Sequence, residues 1–248
     1  MYFWGFTRCK KENHISFKNI ITILQRYDKM ITQTKNISHM KIFLTICIVL
    51  LSYTNILFAQ GYPIYIDGVF NDWNNVTDIY IDTNSDGNDI DFVSLSASNN
   101  NTHLFIKLLS NDFFNLTDQN DVFLYIDSDD NPNTGYEING IGAELSLDLA
   151  SGDGYFYTDN DAEWIELYDI DFINLPTVSS DAQEIAIRRN TYPNGTHPLF
   201  TSNTIKITFV DWEFGGDDIP NNGDFFSYTF DNTDIVYPEP ISLEKEQT

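Results

Sequence analysis

From Tyr62 to Phe230 apolar residues recur at every second position in short runs, and Gly, Pro, Asn and Asp punctuate the gaps between runs. A period of two puts successive side chains on opposite faces of an extended chain, so such runs bury one face as strands and cannot form the apolar stripe of a helix. The runs are Tyr62–Ile66, Ile79–Asp82, Phe92–Ala97, His103–Leu109, Val122–Ile126, Glu144–Leu149, Tyr155–Thr158, Trp164–Tyr168, Gln183–Arg188, Thr204–Val210 and Phe225–Phe230. No stretch of helical periodicity interrupts them. Short strands at this spacing predict an all-β fold, an antiparallel two-sheet β-sandwich of jelly-roll type. Alternation also assigns faces: Leu104, Ile106 and Leu108, then Leu145, Leu147 and Leu149, then Ile205, Ile207 and Phe209 are expected to point inward.

The sandwich is expected over 61–231. Ahead of it, Met40, Lys41, the apolar run Ile42 to Leu51 and Ala59 have the layout of a secretory signal peptide over 40–60. Residues 1–39 read as an upstream segment outside the mature protein, and 232–248, with Pro238, Pro240 and Glu244 to Glu246, as a linker or tail. Of 13 Lys+Arg and 37 Asp+Glu in the chain, 8 and 2 precede Gly61, which leaves 5 basic against 35 acidic residues in the exported part. Nucleic acid is excluded as a partner by that balance, because phosphate binding runs on Lys and Arg. An anionic membrane surface is disfavoured for the same reason. Cys9, Cys47 and all three methionines also fall before Gly61, so the exported part has no disulfide, no thiol nucleophile and no cysteine metal site.

Two loops collect the acidic residues in a pattern. In DVFLYIDSDDNPNTGY, Asp127, Asp129 and Asn131 stand two residues apart where a strand runs out, and Thr134 and Gly135 close the turn. In DTNSDGNDID, Asp82, Asn84 and Asp86 alternate, Gly87 permits a sharp turn, and Asp89 and Asp91 follow. Oxygen ligands at alternate positions of a tight loop converge on one point, as calcium requires. Neither loop is an EF-hand: Pro132 and Ile138 occupy the glycine and glutamate positions of the first, and Val93 the glutamate position of the second. A polar hairpin connection draws on the same residue types.

A possible ligand face comes from the runs Tyr155–Thr158 and Trp164–Tyr168. If Phe156, Ile165 and Leu167 point inward, Tyr155, Tyr157, Trp164 and Tyr168 share the outer face with Glu166. Flat exposed rings beside a carboxylate suit a sugar ring, the rings taking its apolar face and the polar groups its hydroxyls. Trp212, in VDWEFGGDD, is a second candidate at a strand end. Trp73 reads instead as core, and Lys107 and Lys206 as ordinary outward charges on strands.

The pairing of IDGVFNDW, Ile66 to Trp73, with YIDSDDNPNTGY, Tyr125 to Tyr136, resembles the family-nine carbohydrate-binding modules and their DOMON-like relatives. The resemblance spans about Ile64 to Phe230 and implies a secreted β-sandwich that binds sugar and holds structural calcium. The paired sugar-clamping tryptophans of that family have no mappable counterpart in this sequence. Haem chemistry of the DOMON kind is disfavoured by the lack of any methionine after Met40.

Enzymatic signatures are missing: the chain has no GxSxG, no HExxH and no phosphate-cradling glycine loop. Paired carboxylates carry no information in so acidic a chain. The expected function is therefore a secreted, non-catalytic, calcium-stabilised module whose partner is a carbohydrate or polysaccharide. The alternative is a calcium-rigidified structural or adhesive cell-surface module that binds protein or matrix. A third expectation is a fragment of an enzyme whose catalytic domain follows Thr248.

Overall fold

The computed structural model describes residues 63–232, apart from 83–85, 119, 159–160 and 222. The upstream segment, the signal peptide, the tail beyond Asn232 and Asn84 of the second acidic loop lie outside the described residues. Among the described residues no helix is long and apolar enough to cross a membrane.

The fold is the expected all-β sandwich. In chain order it comprises the 3-10 turn η1 (Phe70–Asn75), then β1 (Ile79–Ile81), β2 (Phe92–Asn99), β3 (His103–Phe114), β4 (Val122–Asp127), β5 (Tyr136–Ile138), β6 (Ile141–Ala143), β7 (Leu145–Asp148), β8 (Asp153–Thr158) and β9 (Asp161–Glu166). After the 3-10 turn η2 (Leu167–Ile170) come β10 (Ile173–Leu175), β11 (Ser180–Arg188), β12 (Thr204–Asp211), β13 (Asp218–Ile219) and β14 (Phe226–Thr229). One sheet runs β1-β2-β3-β11-β10. The other runs β13-β12-β4-β7-β8-β9, with β14 on β12, and β5-β6 is a separate hairpin. Every pairing is antiparallel.

The main core lies between the sheets and contains all nine residues that alternation assigned inward, each fully buried, together with Phe156 and Ile165. At about 25 cal/mol per Å² of apolar surface removed from water, these inner faces are the principal force holding the sheets together.

Two runs depart from expectation. The stretch expected as a strand from Tyr62 to Ile66 makes no ladder over its described part. Ile64 is nevertheless buried, because the segment is pinned by side chains: the Tyr65 N–H donates to Asp72 Oδ2 at 2.7 Å. The run Trp164–Tyr168 stops as a strand at Glu166. A capping box between Glu166 and Asp169, with Glu166 N–H donating to Asp169 Oδ2 at 2.9 Å, turns the chain into η2.

Trp73 is core as expected, but it packs with Ile64, Phe105 and Ala186 on the outer face of the five-stranded sheet. Its indole N–H donates to Glu184 Oε2 at 3.0 Å, while Glu184 Oε1 accepts from the Gly68 N–H at 2.6 Å and the Asp67 N–H at 3.2 Å. The IDGVFNDW motif is thus a lid sewn to β11 by one buried carboxylate, which burial pushes up from the usual carboxylate range. Lys107 is no ordinary outward charge, since its ammonium sits 5.6 Å from the Trp73 ring centroid.

Candidate functional site

Both acidic loops assemble a cluster, and each does so with a carboxylate that the loop itself does not contain. Asp127, Asp129 and Glu144 bring carboxylate oxygens within 4.8 Å of one another, and Asp82, Asp86 and Asp217 do the same. Antiparallel pairing of β4 with β12 sets Asp127 against Lys206 at one end and Val122 against Asp211 at the other. The first cluster lies at the Asp127 end. The second lies toward the Asp211 end, where β13 meets β2.

The Asp127 cluster is shaped by backbone geometry. Gly135 adopts φ 69°, and a Cβ there would strike the Ala143 carbonyl; a Cβ on Gly142 would strike the Thr134 carbonyl. The loop therefore lies flat on β6, and Glu144, the next residue but one after Gly142, comes up beneath it. The Asn131 N–H donates to Asp127 Oδ1 at 3.2 Å and Asp129 Oδ1 at 2.8 Å, and the Thr134 hydroxyl donates to Asp129 Oδ2 at 3.0 Å. Asn131 thus orders the cluster through its backbone, while its side-chain oxygen accepts from Asn133.

Glu144 Oε2 accepts from the Ser128 N–H at 2.8 Å, but Oε1 is sealed from solvent and accepts no hydrogen bond. The Thr134 hydroxyl is near enough to favour the charged form of Glu144, yet its hydrogen goes to Asp129 and the Asn131 carbonyl. Burial pushes the Glu144 carboxyl up to about 7; the Ser128 N–H opposes this, and the charges of Asp129 and Asp127 add to it. Lys206, expected as an ordinary outward charge, is instead drawn in, with its ammonium 3.0 Å from Asp127 Oδ2 and 2.9 Å from Asp130 Oδ1.

At the Asp82 cluster, Asp217 Oδ2 accepts the Phe92 N–H at 2.7 Å, which joins the chain just before β13 to the first residue of β2. Burial pushes the Asp217 carboxyl up to about 7, against the Phe92 hydrogen bond and with the help of Asp86 and Asp82. Asp89 and Asp91 stand outside this cluster. Asp91 is buried and accepts from the Asn111 side-chain amide, and Asp89 is exposed on the rim of a separate cleft. Sequence spacing thus located two members of each triad. The third member of each, Glu144 and Asp217, was in view only as the first residue of a strand and as part of GGDD.

A cavity of about 510 Å³ opens over the Asp127 cluster, lined by Asp129, Glu144, Thr134, Tyr157, Thr158 and His197 among others. From its Tyr157 wall an aromatic row crosses the outer face of the seven-stranded sheet. Ring centroids are separated by 6.3 Å from Tyr155 to Tyr157, 5.9 Å from Tyr157 to Tyr136, 5.8 Å from Tyr136 to Tyr125 and 6.1 Å from Tyr125 to Phe123. Trp164 is the cross-strand partner of Tyr155 at one end, and the Trp212 indole N–H donates to the Tyr125 hydroxyl at 3.1 Å at the other. Tyr155, Trp164, Tyr136 and Trp212 are 47, 56, 40 and 52% exposed, whereas Tyr157 is half-buried.

The expected platform residues Tyr155, Tyr157, Trp164 and Trp212 therefore fall on one continuous row. Tyr136 and Tyr125 link them, and sequence reasoning passed over both. Glu166 caps η2, and Tyr168 stands exposed on η2 beyond the strand. Compared with protein-family models, with characterised proteins and with solved structures, the chain matches none significantly.

Proposed function

We propose that this protein is a secreted, non-catalytic carbohydrate-binding module stabilised by calcium. The observation that carries the reading is the aromatic row from Trp212 to Trp164, exposed at Trp212, Tyr136, Tyr155 and Trp164 and linked through the buried Tyr125, running beside the Asp127, Asp129 and Glu144 cluster. Rings held in stacked and tilted contact by the sheet and the β5-β6 hairpin offer the apolar faces of successive sugar units a stacking surface. The Tyr hydroxyls meet the sugar hydroxyls at little cost in side-chain entropy, since packing already fixes these rings.

Both clusters fit a hard divalent cation. Their donors are carboxylate oxygens, each includes a buried carboxyl pushed up to about 7, and Glu144 Oε1 has no hydrogen-bond partner. Asp127, Asp129 and Glu144 would hold one ion, and Asp82, Asp86 and Asp217 another. A bound ion supplies the positive charge that lets these carboxylates stay ionised together. Extracellular calcium sites of this kind work at a Kd of about 10⁻⁴ to 10⁻³ M. The resemblance to family-nine modules supports the same reading, as does the signal-peptide layout of residues 40–60.

A glycan array read with calcium and with a chelator tests the proposal. Binding that Trp164→Ala weakens about tenfold at unchanged melting temperature is the expected result. No glycan signal at any calcium level overturns it and favours the calcium-rigidified adhesive module.

A further inference from the structure

At the Asp211 end of the sandwich a second cleft, of about 370 Å³, differs in chemistry from both clusters. Its carboxylates are Asp89, Asp118, Asp121, Asp211 and Glu213, and its apolar surface comes from Ile90, Phe113 and Phe114. Among the described residues no Lys, Arg or His lines it. Asp211 is only 4% exposed. Its Oδ1 accepts the Glu213 N–H at 3.1 Å, and its Oδ2 is sealed from solvent with no hydrogen-bond partner.

A buried carboxylate oxygen without a donor costs free energy unless a ligand completes it. Asp89, Asp121 and Glu213 line the same cleft as Asp211, so four carboxylates face one small volume. The rim is ordered: the Asn120 amide donates to the Asn115 carbonyl at 2.6 Å, and its oxygen accepts the Val122 N–H at 2.9 Å.

We propose that this cleft binds an alkylammonium group, its nitrogen donating to Asp211 Oδ2 and the rim carboxylates while its methylene stem lies on Phe113, Phe114 and Ile90. An ammonium presents three donors on an apolar stem, matching a cleft lined by both carboxylates and apolar side chains. A chelated metal ion fits less well. Among the described residues no three carboxylates of this cleft bring oxygens within 4.8 Å of one another, as those of the two clusters do, and calcium has no use for a phenylalanine lining. Phe113, 72% exposed beside so many charges, is accounted for as the wall that the stem covers.

Calorimetric titration of the exported chain with cadaverine, in saturating calcium so that both clusters are occupied, tests the site. Saturable binding is expected, weakened about tenfold or more by Asp211→Asn, which keeps the acceptor for Glu213 but removes the charge. The exposed rim variant Asp121→Asn, which leaves the core untouched, weakens it as well. Asp67→Asn, an equal charge change on the η1 lid, leaves it unaltered. Nα-acetyl-lysine amide in place of cadaverine separates a protein lysine from a free polyamine as the source of the ammonium. No heat of binding, an equal loss in all three variants, or displacement of cadaverine by calcium with one calcium equivalent lost in Asp211→Asn overturns the proposal.

Discussion

The two clusters hold the same number of carboxylates, with a buried one near neutrality in each, yet they are wired into the fold differently. Asp217 reaches from beside β13 to the backbone of β2 and so ties the seven-stranded sheet to the five-stranded one. Asp127, Asp129 and Glu144 all sit at one end of the seven-stranded sheet, partly balanced by Lys206 and open to the cavity beneath Tyr157. A cation at the Asp82 cluster staples two layers. A cation at the Asp127 cluster stiffens one edge and the floor of the aromatic face. Stability and ligand binding are therefore expected to respond to different clusters.

The largest effect that follows is on thermal stability. At a hundredfold excess over Kd, one bound calcium stabilises the folded state by about 2.7 kcal/mol, provided the unfolded chain does not bind it. For a domain of this size that raises Tm by about 5–10 °C. Asp217→Asn is expected to remove most of the calcium-dependent rise, and Glu144→Gln less of it. Scanning calorimetry with calcium and with chelator reads both, and an equal loss in the two variants breaks the comparison.

A second expectation uses pH. Glu144 and Asp217 each titrate near 7 in the folded protein, above the ordinary carboxylate value that the unfolded chain keeps. Between the unfolded and folded values the unfolded chain gives up protons that the folded chain retains. The stability these two groups contribute to the calcium-free protein is then fully present below about pH 4 and is lost as pH rises through about 7. Calcium should flatten that fall. In chelator at neutral pH, Asp217→Asn or Glu144→Gln should be at least as stable as wild type, the reverse of their ranking with calcium, and urea unfolding at several pH values reads the crossing.

How much of this was legible in the sequence depends on the reach of each interaction. Leu145, Leu147 and Leu149 could be placed inside because facing is a two-residue rule, and all three are fully buried. Asp127 with Asp129, and Asp82 with Asp86, were legible for the same local reason. Glu144 was not, because the β5-β6 hairpin folds back between it and its partners, and Asp217 was not, because β13 returns from far along the chain. Tyr62 to Ile66 alternates like a strand but has Asp72 where a strand would have a ladder partner, and spacing cannot distinguish the two. Tyr125 and Tyr136 join the aromatic row only once the hairpin is folded over β4, so the row was legible at its two ends, Tyr155 with Trp164 and Trp212, and not in its middle.

On the ligand face, Trp164→Ala is expected to weaken glycan binding about tenfold, from the loss of ring contact worth about 0.5–1.5 kcal/mol beyond its area. Tm should barely move, because Trp164 is more than half exposed. Phe156→Ala, whose side chain points the other way from the same hairpin, should instead lower stability by about 3–5 kcal/mol. Array binding set beside melting curves separates the two faces of β8 and β9.

The smallest effect sharpens the comparison most, because it acts on one cluster through a residue the other lacks. Lys206 contacts both Asp127 and Asp130, and Asp130 holds left-handed backbone at φ 61°, a conformation a non-glycine residue adopts only when its surroundings enforce it. Burial lowers the Lys206 pKa, but the hydrogen bonds and charges of these two aspartates outweigh it and raise the pKa overall, so the ammonium stays charged against them. A cation entering the cluster meets this charge and competes with it for Asp127 Oδ2. Lys206→Met keeps the stem and removes the charge. It should tighten calcium binding at the Asp127 cluster a few-fold while leaving the Asp82 cluster at its wild-type affinity, and it should cost the calcium-free protein stability by stranding Asp127, which is wholly buried. Calcium titration followed by Tyr and Trp fluorescence measures both affinities, with Asp217→Asn as background for the Asp127 cluster and Glu144→Gln as background for the Asp82 cluster. Unaltered affinity at the Asp127 cluster would mean that Lys206 leaves the cluster as the cation enters.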